Sequence, residues 1–203
     1  MKRRMLAAIL ASVVYAVAAT ATAQELTPEL VAALQRGGYV LLIRHATPER
    51  VNEPTPMDLA NCAAQHRLTD KGREEARALG AAFQALKIPV GQVLASGYCR
   101  TLETARLAFG RAEPADILLH PIYAPIEGAP AVPPYPQRVE LLKKLTATPP
   151  ALGTNIVAIT HGENLRDVVG SPVREAETVI YRPDGRGGSE LVGKVQVTDW
   201  VAR

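Results

Sequence analysis

The stretch Tyr39-Val40-Leu41-Leu42-Ile43 carries no charge at either parity, and Ile156-Val157-Ala158-Ile159 repeats the pattern. A strand with one wet face alternates apolar and polar residues, so a strand apolar at every position is covered on both faces. Such strands belong inside a parallel sheet, where helical crossovers supply the two covering layers. That requirement restricts the fold more than any other feature of the chain.

The sequence between these runs supplies the helices. Residues 24–36 place Leu26, Leu30, Val31 and Leu34 on one face, and the helix stops at Gly37-Gly38. Thr69 caps a helix running to about residue 86, with Ala76, Leu79, Phe83 and Leu86 aligned. Residues 98–109 form the next, ended by Gly110, and 139–145 and 163–169 two more. Residues 91–95 and 116–119 read as further strands. After Glu177 the pattern turns to strands over 178–182 and 190–197, around a Pro-Asp-Gly turn near Gly185. The polar stretch 47–67 and the proline-dense stretch 121–136 are loops. The fold expected is α/β, a three-layer sandwich with a mostly parallel central sheet flanked by helices. With no internal repeat, residues 24–203 read as a single domain.

Residues 1–23 stand apart. Lys2, Arg3 and Arg4 precede a short apolar run and the small-residue pattern Ala21-Thr22-Ala23, the layout of a secretory signal peptide. The apolar run is shorter than the roughly 20 residues that span a bilayer, so cleavage after Ala23 is favoured over a retained anchor. A periplasmic or secreted protein is expected, with no stable membrane span. The full chain has 23 Lys+Arg against 20 Asp+Glu. The leader holds three of the basic residues and no acidic one, which leaves 20 against 20. A balanced chain gives no reason to expect a nucleic-acid partner. Cys62 and Cys99 in an oxidising compartment form either a disulfide or two free thiols, and the bridge is preferred.

Three strand-to-helix junctions carry the chemistry. They are Arg44-His45-Ala46-Thr47, Ser96-Gly97-Tyr98-Cys99-Arg100-Thr101, and Thr160-His161-Gly162-Glu163-Asn164. In a parallel sheet all three fall at one edge, where open α/β folds bind ligands. Singly, a strand-end histidine is structural and an arginine is a surface residue. Two arginines and two histidines at three matching junctions make a shared site.

These motifs resemble those of the histidine phosphatase superfamily, with its phosphoglycerate mutase-like fold. Arg44-His45-Ala46 resembles the R-H-G/A signature, and Leu68-Thr69-Asp70-Lys71-Gly72 the L-T-x-x-G opening the first core helix. Ser96 to Thr101 with Thr104-Ala105 is similar to S-x-x-x-R-(ST)-x-x-T-A, and Thr160-His161-Gly162 to the second histidine motif. The resemblance implies that His45 is the nucleophile of a phosphohistidine pathway and that Arg44, Arg100 and His161 form the phosphate pocket. Guanidinium forks suit phosphoryl oxygens, and nearby positive charge keeps an imidazole neutral and nucleophilic. The proton donor is Glu127, in the loop after the third strand, or Glu163, beside the second histidine. Thr47 and Asn164 are candidate substrate contacts or scaffold, as are Asp58 and Gln65, whereas His66 and His120 read as surface or packing residues. The four histidines show no zinc-ligand spacing, and no metal or other cofactor is expected.

The function implied is an exported, metal-independent phosphomonoesterase of histidine acid phosphatase type, acting on a small phosphorylated substrate. Exported members of similar shape act on sugars of the envelope, so a phosphosugar or glycan phosphate is the expected substrate class. Two alternatives remain at this point. One is a non-catalytic phosphate-binding module on the same fold. The other is a phosphoglycerate mutase-type phosphotransferase, disfavoured by export and by the absence of room for capping insertions.

Overall fold

The computed structural model describes residues 26–120, 126–127 and 133–201. The expected leader and most of the 121–136 loop lie outside the described residues. Six strands form one mixed sheet: β1 (Val40–Arg44), β2 (Val90–Ala95), β3 (Glu113–Pro114), β4 (Asn155–Thr160), β5 (Thr178–Pro183) and β6 (Ser189–Val195). Their order is β3-β2-β4-β1-β5-β6. The first three pairings are parallel, while β5 pairs antiparallel with β1 and β6 antiparallel with β5 at the edge.

The apolar runs behave as their composition demands. Leu41 and Ile43 of β1 pack with Val157 and Ile159 of β4 into one core, and Val40 and Leu42 pack with Ile156 and Ala158 into the other. The first core is closed by α1 (Pro28–Arg36), α2 (Asp70–Ala85), α3 (Cys99–Phe109) and α6 (Val197–Val201). The second is closed by α4 (Gln137–Thr146) and α5 (Gly162–Val169). This is the expected three-layer arrangement. Among the described residues, no helix is long and apolar enough to cross a membrane.

The helix boundaries follow local chemistry. Thr27 and Thr69 accept the Leu30 and Gly72 backbone N–H groups as N-caps, and Pro28 occupies the first turn of α1. Gly110 and Gly170 end α3 and α5 in the left-handed conformation. Gly72 meets a different demand, because a Cβ there would overlap the Thr47 carbonyl oxygen. The start of α2 therefore presses directly on the loop that leaves β1.

Two expectations change. Residues 116–118 form a 3-10 turn rather than a strand, and the short edge strand lies upstream at Glu113–Pro114. The Leu118 carbonyl is taken by Thr160 Oγ1 at 3.0 Å and Asn164 Nδ2 at 3.1 Å, so no sheet partner is left for it. Strand β6 stops at Val195, and the remainder turns into α6, which buries Trp200 against Phe83.

Candidate active site

The sheet order puts β2, β4 and β1 side by side with parallel C-terminal ends. Arg44 pairs with Thr160 in register, His45 N donates to Thr160 O at 3.0 Å, and Ser96 N donates to Ile159 O at 3.0 Å. His45, His161 and Ser96 are thus fixed at one edge by backbone bonds alone. Helices α3 and α5 start just beyond, so two positive helix ends face this edge.

His45 is buried, and its Nδ1 lies 2.9 Å from the Ala46 carbonyl oxygen. A carbonyl only accepts, so Nδ1 carries the proton and Nε2 keeps its lone pair. Burial first, then the Arg100 and Arg44 charges, lower the His45 pKa to about 3 against the opposing Ala46 bond. The imidazole is therefore neutral throughout the working range.

His161 is fully buried, edge-on to His45 with ring centroids 5.4 Å apart. Arg100 Nη2 donates to its Nδ1 at 3.3 Å, which leaves Nε2–H to donate to Ser96 Oγ at 2.8 Å. Burial and then the Arg100 charge hold His161 well below the usual histidine range. Arg100 itself is buried, with its guanidinium carbon 4.6 Å from the Tyr98 ring centroid. Its Nη1 donates to Glu53 Oε1 at 2.8 Å.

Arg44 adopts a looser setting. It donates to the Val173 carbonyl and to Glu175 Oε1, each at 2.8 Å, and the ion pair is partly exposed. Its guanidinium lies over Gly162, where a Cβ would come 3.1 Å from Cζ. The glycine between His161 and Glu163 makes room for that cation.

The remaining candidates separate. Thr47 gives its hydroxyl to Glu75, 2.8 Å from Oε2, and its N–H to the same carboxylate at 2.9 Å, so it belongs to the scaffold. Asn164 spends its amide N–H groups on Leu118 O, Leu119 O and Thr160 Oγ1, which braces the turn under the site. These bonds give Thr47 and Asn164 the structural partners of the scaffold reading. Glu163 accepts from His120 Nε2 at 3.0 Å, and that bond holds its carboxyl down to about 2 despite partial burial. Glu127 is exposed, and its backbone N–H bonds Met57 O at 2.8 Å, tying it to the 47–67 loop. Asp58 is a turn former, bonding Ala60 N at 2.8 Å. Gln65 staples the loop: Nε2 reaches the Asp58 and Leu59 carbonyls, and Oε1 accepts from Cys99 N. Cys62 and Cys99 are joined as a disulfide at the same place, with Cα atoms 5.7 Å apart.

Sequence reasoning misses Glu53 and underrates His120. The Glu53 side chain is fully buried although it sits in a polar loop. No periodicity marks such a residue. His120 is buried, with its ring centroid 4.8 Å from that of His161. Among the described residues, no cluster of His, Cys, Asp and Glu has metal-holding geometry.

Two arginines and two histidines thus meet around one edge, and residues 40–121, which hold Arg44, His45 and Arg100, match the family "Histidine phosphatase superfamily (branch 1)". Over that segment the chain is similar to the histidine phosphatase superfamily. His161 lies beyond the matched residues, and geometry alone puts it beside the family's signature. Solved structures of similar fold extend the comparison to most of the chain. An alpha-ribazole phosphatase from Shigella flexneri is 16% identical, with a TM-score of 0.54 over 75% of this chain and 94% of its own. A phosphoserine phosphatase mutant from Entamoeba histolytica, solved with phosphoserine, is 11% identical, with a TM-score of 0.54 over 79% and 98%. The open reading frame Rv3214 from Mycobacterium tuberculosis is 21% identical, with a TM-score of 0.53 over 77% and 96%. No curated protein sequence matches the chain.

Proposed function

We propose that this protein is an exported phosphomonoesterase that hydrolyses a small phosphorylated substrate through a phosphohistidine on His45, without a metal. The observation carrying this reading is the His45 tautomer: Nδ1–H is tied to Ala46 O, so the basic nitrogen of a neutral imidazole is left to attack. The family of residues 40–121 supports the same chemistry.

In the first step Nε2 forms a bond to phosphorus as the ester P–O bond breaks. Arg44 and Arg100 bind the non-bridging oxygens, where charge must be stabilised. The leaving oxygen takes a proton from Glu127, the exposed rim carboxyl. Glu163 suits that task less, because a carboxyl held down to about 2 has already given up its proton. In the second step water forms the new P–O bond, the N–P bond breaks, and the water proton returns to Glu127. His45 is regenerated and inorganic phosphate leaves.

Export is supported by the leader pattern of residues 1–23 and by the Cys62–Cys99 bridge, a bond suited to an oxidising compartment. A phosphosugar or envelope glycan phosphate is the substrate class we favour, by the resemblance to exported members. The test is hydrolysis of an aryl phosphate by the protein lacking residues 1–23, in the presence of a chelator. The wild-type chain is expected to turn over and His45→Ala to be inactive. Full activity in His45→Ala would remove the nucleophile, and binding without turnover would favour a phosphate-recognition module.

A further inference from the structure

Both clamp arginines carry a carboxylate, and the two pairs differ in kind. Arg44–Glu175 is open to water, with side chains 23% and 29% exposed, so solvent screens it. Arg100–Glu53 is closed, with side chains 2% and 0% exposed. Glu53 Oε1 takes both Arg100 Nη1 at 2.8 Å and the His66 backbone N–H at 2.9 Å. Its Oε2 is buried without a hydrogen-bond partner, and His66 Nδ1 stands 3.9 Å away. Glu53 is thus bound chiefly through the guanidinium that a phosphoryl group would also bind. Its negative charge sits in a dry setting beside that guanidinium, where little solvent screens it.

We propose that Glu53 is a positioning residue that sets the grip of the phosphate clamp: it aims the Arg100 guanidinium and, by its charge, weakens the hold on the phosphate product. The inference rests on the proposed phosphate site and deepens it. Arg100 is fastened on one side by Glu53 and on the other by His161, so the plane of its guanidinium is fixed. A clamp of two unopposed guanidiniums would retain inorganic phosphate and slow its release. A buried carboxylate on one of them lowers the affinity for substrate and product alike and leaves geometry to discriminate the transition state.

The sign of one substitution separates this role from simple propping. Glu53→Gln keeps an acceptor for Arg100 and removes the charge. Inorganic phosphate and tungstate, titrated calorimetrically against the protein lacking residues 1–23, are expected to bind this variant at least about tenfold more tightly than wild type. KM for an aryl phosphate should fall with them, and kcat should fall too as release becomes slow. Glu53→Asp keeps the charge but draws it back by one methylene, and it should tighten phosphate by roughly threefold. Glu175→Gln, on the screened pair, should change affinity less than either.

Equal or weaker phosphate binding by Glu53→Gln with wild-type melting would overturn the proposal, since a mere prop can only loosen the clamp when removed. Should Glu53→Gln fail to fold, Glu53→Asp decides, and no tightening there overturns it as well. Failure of wild type and every variant to bind either anion would bring down the phosphate site itself, and this inference with it.

Discussion

The two flanks of His45 hold one guanidinium each and treat it differently. On the β2–α3 flank Arg100 is buried, paired with Glu53, placed over Tyr98 and joined to His161, and the disulfide and Gln65 fasten the covering loop beside it. On the β1–β5 flank Arg44 lies over Gly162 and pairs with Glu175 at the surface. The buried flank fixes geometry, because a guanidinium held by Glu53, Tyr98 and His161 in a dry setting has one orientation. The open flank supplies an adaptable charge. Both lower the His45 pKa, and Arg100 lowers it more than Arg44 does.

The contrast breaks first at Arg100. Arg100→Ala strands Glu53 as an uncompensated buried charge, which should cost about 3–5 kcal/mol of stability by the general cost of splitting a buried pair. It should also lower kcat/KM for an aryl phosphate by about a thousandfold or more, as expected when a preorganised charge is lost. Chemical denaturation and steady-state kinetics read the two effects. Arg44→Ala, tested the same way, should lose less than about 1 kcal/mol, because its ion pair is solvent-screened. Equal stability losses at the two arginines would erase the distinction between the flanks.

Next in size is the bridge. Replacing both cysteines with serine frees a 37-residue separation between Cys62 and Cys99, and loop entropy puts the loss at about 3–4 kcal/mol. The melting temperature should drop, and it should drop equally in wild-type protein treated with reductant.

Acid sharpens the comparison further. His45 binds its proton at about 3 in the folded chain against an ordinary histidine value of 6.5, so between those limits the unfolded chain holds more protons. Stability from His45 is complete above 6.5 and declines as pH falls toward 3. His161, lowered in the same direction, adds to that decline. Urea midpoints measured across this range should slope downward toward acid, and His45→Asn should flatten the slope. The smallest effect is expected from Gly162→Ala, which crowds the Arg44 guanidinium. KM should rise about threefold with little change in melting, since a partly exposed side chain can shift aside.

How much of this is legible in the sequence depends on whether backbone or side chains decide it. The apolar runs at 40–43 and 156–159 announce a doubly covered sheet, and parallel pairing then brings Arg44, His45, Arg100 and His161 to one edge. Residues 116–119 look like a strand because they are short and apolar, yet side chains from Thr160 and Asn164 claim the Leu118 carbonyl and bend the segment. The Trp200 helix reads as the end of a strand because its five residues are too few to show a helical period. Glu53 is invisible for a different reason. A glutamate in a polar loop is ordinarily solvated, and only its distance to Arg100 reveals that the loop folds it inward.

The proposed phosphatase chemistry depends on phosphorus becoming bonded to the Nε2 of His45. Rapid quenching of the protein with a ³²P-labelled phosphomonoester measures this directly. Wild type should yield one acid-labile, base-stable label per chain, mapping to the peptide containing His45 and absent from His45→Ala. Label on another residue, or turnover in wild type with no phosphoenzyme within the dead time and undiminished turnover in His45→Ala, would contradict it.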